Sequence, residues 1–507
     1  MAHLCKFDVM SEKSLRGKTV KGVGWSFIDN LGGQGITFFV GLILARFLTP
    51  EEYGLIGIIT IFIAVFNGIV DSGFSNALIR KTDAKEIDYN TVFITNMVVS
   101  IILFWVLFFS APLIAHFFCQ PQLKPLSQVM ASIVVINAFA IIQRTLLVKS
   151  IDFKTQTKVS LISSIASGVV GVSMACYGFG VWSLVGQQLS RQLLNTSFLW
   201  IYSKWYPKLL FSWSCFKELW GFGWKLLVSS LIDTTWKEIY QVVIGKCYSP
   251  ATLGQYTRGQ QFGSIFSSNL NSIVQRVSYP VLSAIQDDKE RLKQAYRRVI
   301  KVTMLVTFTL MLGLAAVSKP MILFLIGDQW LMAAKLLPII CFQMMLYPLH
   351  ALNLNMLQVQ GRSDLFLRLE IIKKCVAVVP ILLGIFIDIY WMLWGSVCTG
   401  IFAYYLNSLY SGKFLNYPML AQVKDIFPSF VVAAIMAAIT YGVSFLPFSP
   451  LFLLILQVFV GVIVAIMLCE CVKLEEYKEI KDLVLSAYHK IRYKYNCCLW
   501  NKESKLQ

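Results

Sequence analysis

Ala45-Arg46-Phe47-Leu48-Thr49-Pro50-Glu51-Glu52-Tyr53-Gly54 joins two apolar runs, and its outline recurs as Gly245-Lys246-Cys247-Tyr248-Ser249-Pro250-Ala251-Thr252-Leu253-Gly254. In each copy a basic residue closes an apolar run, Ser or Thr precedes Pro, and Gly follows. Ser or Thr at an N-cap with Pro at the first helical position is a helix start. Glu51 and Glu52 suit the positive end of that helix. Pro50 and Pro250 are 200 residues apart, and Gly24-Trp25 and Gly223-Trp224 recur at nearly the same offset.

Outward from these two turns the chain is mostly apolar. Of 507 residues, 57% are hydrophobic and 14% charged, where a soluble protein carries about 25% charged residues. Several soluble domains would need polar surface that this composition lacks. The net charge of +18 could suit nucleic acid, but the Lys and Arg fall in short patches between apolar runs, as in membrane-protein loops. No nucleic-acid partner is expected. The twelve Cys show no zinc-ligand spacing, with Cys469/Cys471 and Cys497-Cys498 the nearest pairs, and the four His are scattered. No metal site is expected. The first residues lack a cleavable signal pattern. Met10-Ser11-Glu12-Lys13 reads as a start in its own right, with residues 1–9 an extension.

A spanning helix needs about 20 mostly apolar residues. Candidate spans are 24–47, 53–79, 90–118, 124–147, 157–178, 180–203, 219–246, 252–283, 297–318, 331–358, 366–388, 390–411, 425–446 and 449–471. This is an all-α integral membrane protein of about 14 transmembrane helices. With the N-terminus inside, Lys and Arg concentrate on the inside loops one after another, so both termini read as cytoplasmic. The copies of the turn are six spans apart, so the two halves share an orientation about an axis along the membrane normal. The expected organisation is a cytoplasmic segment 1–23, six-helix bundles 24–216 and 217–411, two further helices 412–472, and a basic tail 473–507 suited to anionic lipid. Two such bundles facing each other would form a central cavity.

Six stretches carry a family likeness: Ala45–Gly54; Asp71-Ser-Gly-Phe-Ser-Asn-Ala-Leu-Ile-Arg80; Gly180-Val-Trp-Ser-Leu-Val-Gly-Gln187; Ile244-Gly-Lys246 with Leu253-Gly-Gln-Tyr256; Arg276-Val-Ser-Tyr-Pro-Val-Leu-Ser283; and Asn353-Leu-Asn-Met-Leu-Gln-Val-Gln-Gly-Arg-Ser-Asp-Leu-Phe366. They resemble the polysaccharide flippases of the multidrug/oligosaccharidyl-lipid/polysaccharide exporter superfamily, in the colanic-acid-exporter-like, lipopolysaccharide-biosynthesis branch. The resemblance implies a MATE-like fold of two pseudo-twofold six-helix bundles plus two C-terminal helices. It implies a transporter, not an enzyme, in a bacterial inner membrane. Its substrate would be an undecaprenyl-pyrophosphate-linked oligosaccharide, flipped from the cytoplasmic to the periplasmic leaflet by alternating access for O-antigen, capsule or exopolysaccharide synthesis. Membrane lipids, a polysaccharide polymerase and assembly proteins are the implied partners. No cofactor is implied, and a proton or sodium gradient would drive the cycle.

A polar, anionic head needs a wet, cationic path, and charges inside spans face a cavity or pair. Arg258, Lys237, Arg191, Arg276 and Lys225 are the candidates to bind substrate. Arg258 leads, because it lies inside its span with no acid three or four residues away. Against it, Lys225 and Arg276 can snorkel from span ends, and Lys237 can neutralise Asp233 on one helix face. Asp29, Asp71 and Asp233 are candidates for the coupling ion, since acids inside spans are common ion relays. Asp29 and Asp71 lie near span ends, where a capping role competes.

An ATP-driven pump would need a phosphate-binding loop, and Arg16-Gly17-Lys18-Thr19 lacks its first Gly. Two rivals remain. An ion-coupled drug or cation antiporter of the same fold would need an anionic cavity. A membrane glycosyltransferase or polymerase would need an external catalytic loop, and Glu51-Glu52 reads instead as a helix start.

Overall fold

The structure, a computed structural model, describes residues 12–482 apart from 72, 82, 204 and 360–362, together with 485–486. Side chains before Trp25 and those of several later helix residues, Arg276 among them, lie outside the described set. No strand occurs among the described residues. The chain divides into two compact units, Met1–Thr257 and Arg258–Gln507.

The first unit holds α1 (Glu12–Phe47), α2 (Pro50–Asp71), α3 (Phe74–Arg80), α4 (Glu86–Phe117), α5 (Leu123–Met130), α6 (Ser132–Lys149), α7 (Phe153–Cys176), α8 (Trp182–Ser203), α9 (Trp213–Cys247) and the opening turns of α10 (Pro250–Ala284). Helix α7 packs on α1 and α8, α6 on α4 and α8, and α9 on α2, α3 and α4. Phe74, Tyr89, Phe93, Ile142, Trp205 and Leu219 form one core among α3, α4, α6 and α9.

Both copies of the repeated turn are capped helix starts. The Thr49 backbone N–H donates to Glu52 Oε2 at 2.7 Å, and the Glu52 N–H donates to Thr49 Oγ1 at 3.4 Å. The Thr252 N–H donates to Ser249 Oγ at 3.1 Å. The two starts lie against each other. A Cβ on Gly54 would stand 1.8 Å from the Pro250 carbonyl oxygen, and one on Gly254 would stand 1.8 Å from that of Pro50. Each copy meets the same atom of the other, the reciprocal contact that a two-fold relation produces. Gly73 has a comparable reason to be glycine: it breaks α2 from α3 at φ +70°, and a Cβ there would stand 2.7 Å from the Gly223 carbonyl oxygen on α9.

The second unit holds the rest of α10, then α11 (Lys289–Ile326), α12 (Leu331–Met344), α13 (Tyr347–Val359), α14 (Ser363–Val376), α15 (Val378–Phe386), α16 (Ile389–Leu415), α17 (Met419–Gly442) and α18 (Pro450–Val472). Helix α11 is central and packs on α12, α17 and α18. Arg297 pairs with both oxygens of Asp425 at 2.5 Å, and Arg298 pairs with Glu479 at 2.7 Å. The tail thus starts, over helical residues 475–482, with acids turned to the basic end of α11. Glu476 is buried and bonds Ser429 at 3.2 Å and Lys301 at 3.3 Å.

The family-like stretch from Asn353 begins in a buried polar knot. Asn353, Gln422, Tyr404 and Ser411 bond one another across α13, α16 and α17 at 2.6–3.4 Å. Removing Asn353 takes a buried partner from Gln422 and from Ser411, while Tyr404 stays bonded to Gln422, and each hydrogen bond lost is worth about 0.5–1.5 kcal/mol. Asn353→Leu is therefore expected to lower the thermal unfolding midpoint in detergent well below wild type. An unchanged midpoint would remove the knot from the list of stabilising features.

Nine helical stretches among the described residues are long and apolar enough to cross a bilayer. Helix α18 shows the point, with Ile455 58% and Phe459 63% exposed on an apolar surface that suits lipid and not water. The protein is multi-pass and all-α. Helices underlie all fourteen stretches marked in the sequence, but nine, not fourteen, meet both conditions. Helix α8 falls short because Gln187, Gln188, Arg191, Gln192 and Asn195 interrupt its apolar run.

Candidate functional site

Those interrupting residues share one face of α8, at spacings of three, four and seven, and a bundle in lipid turns such a face inward. All five line a cavity of about 610 Å³ inside the first unit. Helix α7 adds Gln156, Ser160 and Ser163, α6 adds Arg144, α1 adds Asp29 and Thr37, and α2 adds Thr60. A second cavity of about 410 Å³ adjoins it, lined by Asn67 and Asp71 near the end of α2, by Ser75 of α3, by Asn137 and Arg144 of α6, and by Ser230 of α9. Arg144 lines both.

A chain of carboxamides runs from one cavity to the other. Gln192 Nε2 donates to Asn137 Oδ1 at 3.0 Å, and Asn137 Nδ2 donates to Asn67 Oδ1 at 3.0 Å. Arg191 lies in the field of Asp29, and Arg144 in that of Asp71. Ser75 Oγ donates to Asp71. Asp29 Oδ1 is buried with no hydrogen-bond partner among the described residues. Beside apolar residues such as Ile133, Leu199, Ile141 and Leu226, the lining presents hydroxyls, carboxamides, Arg144, Arg191, Asp29 and Asp71, which can hydrogen-bond a polyhydroxylated ligand and hold an anionic group.

Of the residues expected from sequence, Arg191 and Asp29 line the larger cavity and Asp71 the smaller. Arg258 lies in the second unit, 7% exposed, where it donates to Gln261 and sits 5.9 Å from the Trp330 ring centre. Lys225, Asp233 and Lys237 are exposed on α9 and line neither cavity. The Arg276 side chain lies outside the described residues. Sequence reasoning passed over Arg144, Gln156, Gln192 and Asn195 as ligand-facing groups. The regular polar face of α8 was the signal for two of them. Among the described residues no group of three or more His, Cys, Asp or Glu could hold a metal ion.

Residues 43–335 match the family model described as polysaccharide biosynthesis protein. The succinoglycan biosynthesis transport protein ExoT of Rhizobium meliloti (strain 1021) is 28% identical over 318 residues, covering 62% of this chain and 64% of ExoT, just under two thirds of that relative. The teichuronic acid biosynthesis protein TuaB of Bacillus subtilis (strain 168) is 26% identical over 358 residues, covering 69% of this chain and 73% of TuaB. Among solved structures, the lipid II flippase MurJ in an inward closed conformation aligns over 90% of this chain and 99% of its own, with a TM-score of 0.72 at 16% identity. That likeness is one of fold.

Proposed function

Because the chain belongs to the polysaccharide biosynthesis protein family, we propose that it is a flippase that carries the head of a lipid-linked oligosaccharide from the cytoplasmic to the periplasmic leaflet of a bacterial inner membrane, with both termini cytoplasmic. The substrate we assign is an undecaprenyl-diphosphate-linked glycan used for O-antigen, capsule or exopolysaccharide. The polyprenyl tail stays in lipid while the head crosses by alternating access. The observation that carries this reading is the polar cavity of the first unit. Its carboxamides and hydroxyls suit sugar hydroxyls, and Arg144 and Arg191 can exchange their carboxylate partners for phosphate oxygens, for which Arg is well suited. Asp29 and Asp71, freed by that exchange, are the groups we assign to a coupling proton or sodium ion. Asp29→Asn and Asp71→Asn should each weaken the dependence of transport on the ion gradient. Full dependence in both would remove these acids from the coupling step.

A drug or cation antiporter calls for a surplus of acids in the cavity. Among the described residues the larger cavity is lined by two arginines and one aspartate, which supports the anionic substrate.

The test is lectin accessibility of a polyprenyl-diphosphate oligosaccharide in proteoliposomes. Wild type and Lys289→Ala, a change at an exposed residue, are expected to expose the glycan. Arg191→Ala is expected to slow exposure at least about tenfold, corresponding to about 1.4 kcal/mol. Wild-type liposomes that match empty ones under every ion gradient would overturn the reading.

A further inference from the structure

We propose that the sugar seated in the larger cavity of the first unit is uncharged, a hexose or hexosamine and not a uronic acid. The inference rests on the flippase reading and narrows its substrate.

The argument is one of charge and partners. The lining offers many hydrogen bonds but little spare positive charge. Gln156, Gln187, Gln188, Gln192 and Asn195 each present a carboxamide, able to donate to and accept from a neutral hydroxyl or acetamido group. Among the described residues two cations line the cavity, Arg144 and Arg191. Arg191 lies in the field of Asp29, and Arg144 in that of Asp71, which lines the smaller cavity. Arg144, Arg191 and Asp29 leave the described lining of the larger cavity with one positive charge in excess before any ligand arrives. A diphosphate already claims both guanidinium groups once it enters. A sugar carboxylate in the same space would then have no cation left to meet it. It would also stand beside Asp29, whose Oδ1 already lacks a partner among the described residues. An anion taken out of water without a cation is strongly disfavoured. A hydroxymethyl group at the same carbon of the sugar meets carboxamides instead and pays nothing of this kind.

The test compares two polyprenyl-diphosphate monosaccharides in proteoliposomes of the full chain, one carrying glucose and one carrying glucuronic acid. Exposure of the sugar in the opposite leaflet is read by a membrane-impermeant oxidant of vicinal diols, which reports both sugars alike. The glucosyl lipid is expected to cross at least about tenfold faster, a ratio corresponding to about 1.4 kcal/mol. Gln188→Arg adds one cation to the lining and is expected to narrow the ratio by raising the glucuronyl rate. Its elution profile in detergent checks that it folds. Equal rates in the wild type overturn the neutral-sugar inference and leave the flippase reading standing. No movement of either lipid overturns the flippase reading and the inference with it. A folded Gln188→Arg whose ratio matches wild type overturns the assignment of the selectivity to this cavity.

Discussion

Gly54→Val and Gly254→Val are each expected to prevent accumulation of folded protein, and the alanine variants to weaken it by about 1–3 kcal/mol or more, the usual range for forcing extra methyl groups into a packed site. The geometry explains the size. A Cβ at either position would lie 1.8 Å from a proline carbonyl oxygen on the facing helix. That atom is backbone at a helix start, so it cannot swing aside as a side-chain tip would. Relief requires the two starts to separate, which also disturbs the caps that Thr49 and Ser249 provide. Because both glycines guard one contact, the double alanine variant should lose less than the sum of the singles. Gly35→Ala is the control, since no atom lies within 4 Å of its added Cβ. The checks are thermal unfolding and recovery from membranes. Wild-type values for Gly54→Ala and Gly254→Ala would mean that the helices do not meet here.

Arg144→Ala is expected to be the most damaging single change within the cavities. This side chain lines both and lies in the field of Asp71. Removing one partner of a fully buried ion pair costs about 3–5 kcal/mol, because the other charge is left stranded. Open cavities admit water, so the expected loss is nearer the value for a hydrogen bond to a charged group, about 1.5–3 kcal/mol. Removing the stranded charge should return part of it. The double variant Arg144→Ala with Asp71→Ala is thus expected to be more stable than Arg144→Ala alone, while glycan exposure stays low in both. Thermal unfolding of the four corners of this cycle measures the coupling. Strict additivity would show that the two charges do not act as a pair.

The helices were legible because hydrocarbon demands long apolar runs, and no other feature of a sequence is so plain. Both turns were legible as helix starts, since Thr49-Pro50 and Ser249-Pro250 obey the same capping chemistry. What spacing alone does not carry is where the copies end up, and their contact through Gly54 and Gly254 appears only when the chain is folded. The site was half legible. Depth along a helix gave Arg258 and Arg191 similar standing, yet it is silent on the direction a side chain faces. Arg258 turns to Gln261 and Trp330, while Arg191 turns to the cavity. Arg144 looked like an ordinary basic residue at a span end until α1, α7 and α8 closed around it. The Asn353 stretch carried a strong likeness with no visible role, because its partners Tyr404, Ser411 and Gln422 lie far along the chain.

The chain of Gln192, Asn137 and Asn67 has an electrical meaning as well as a structural one. A proton hops along groups that can accept it at one atom and release it at another. A carboxamide in its ordinary form has fixed donors and fixed acceptors, and a guanidinium does not give up its proton in a protein. The groups that reach from the larger cavity to the smaller, this chain and Arg144, are of these two kinds. Neither the carboxamides nor the guanidinium can itself relay a proton between Asp29 and Asp71.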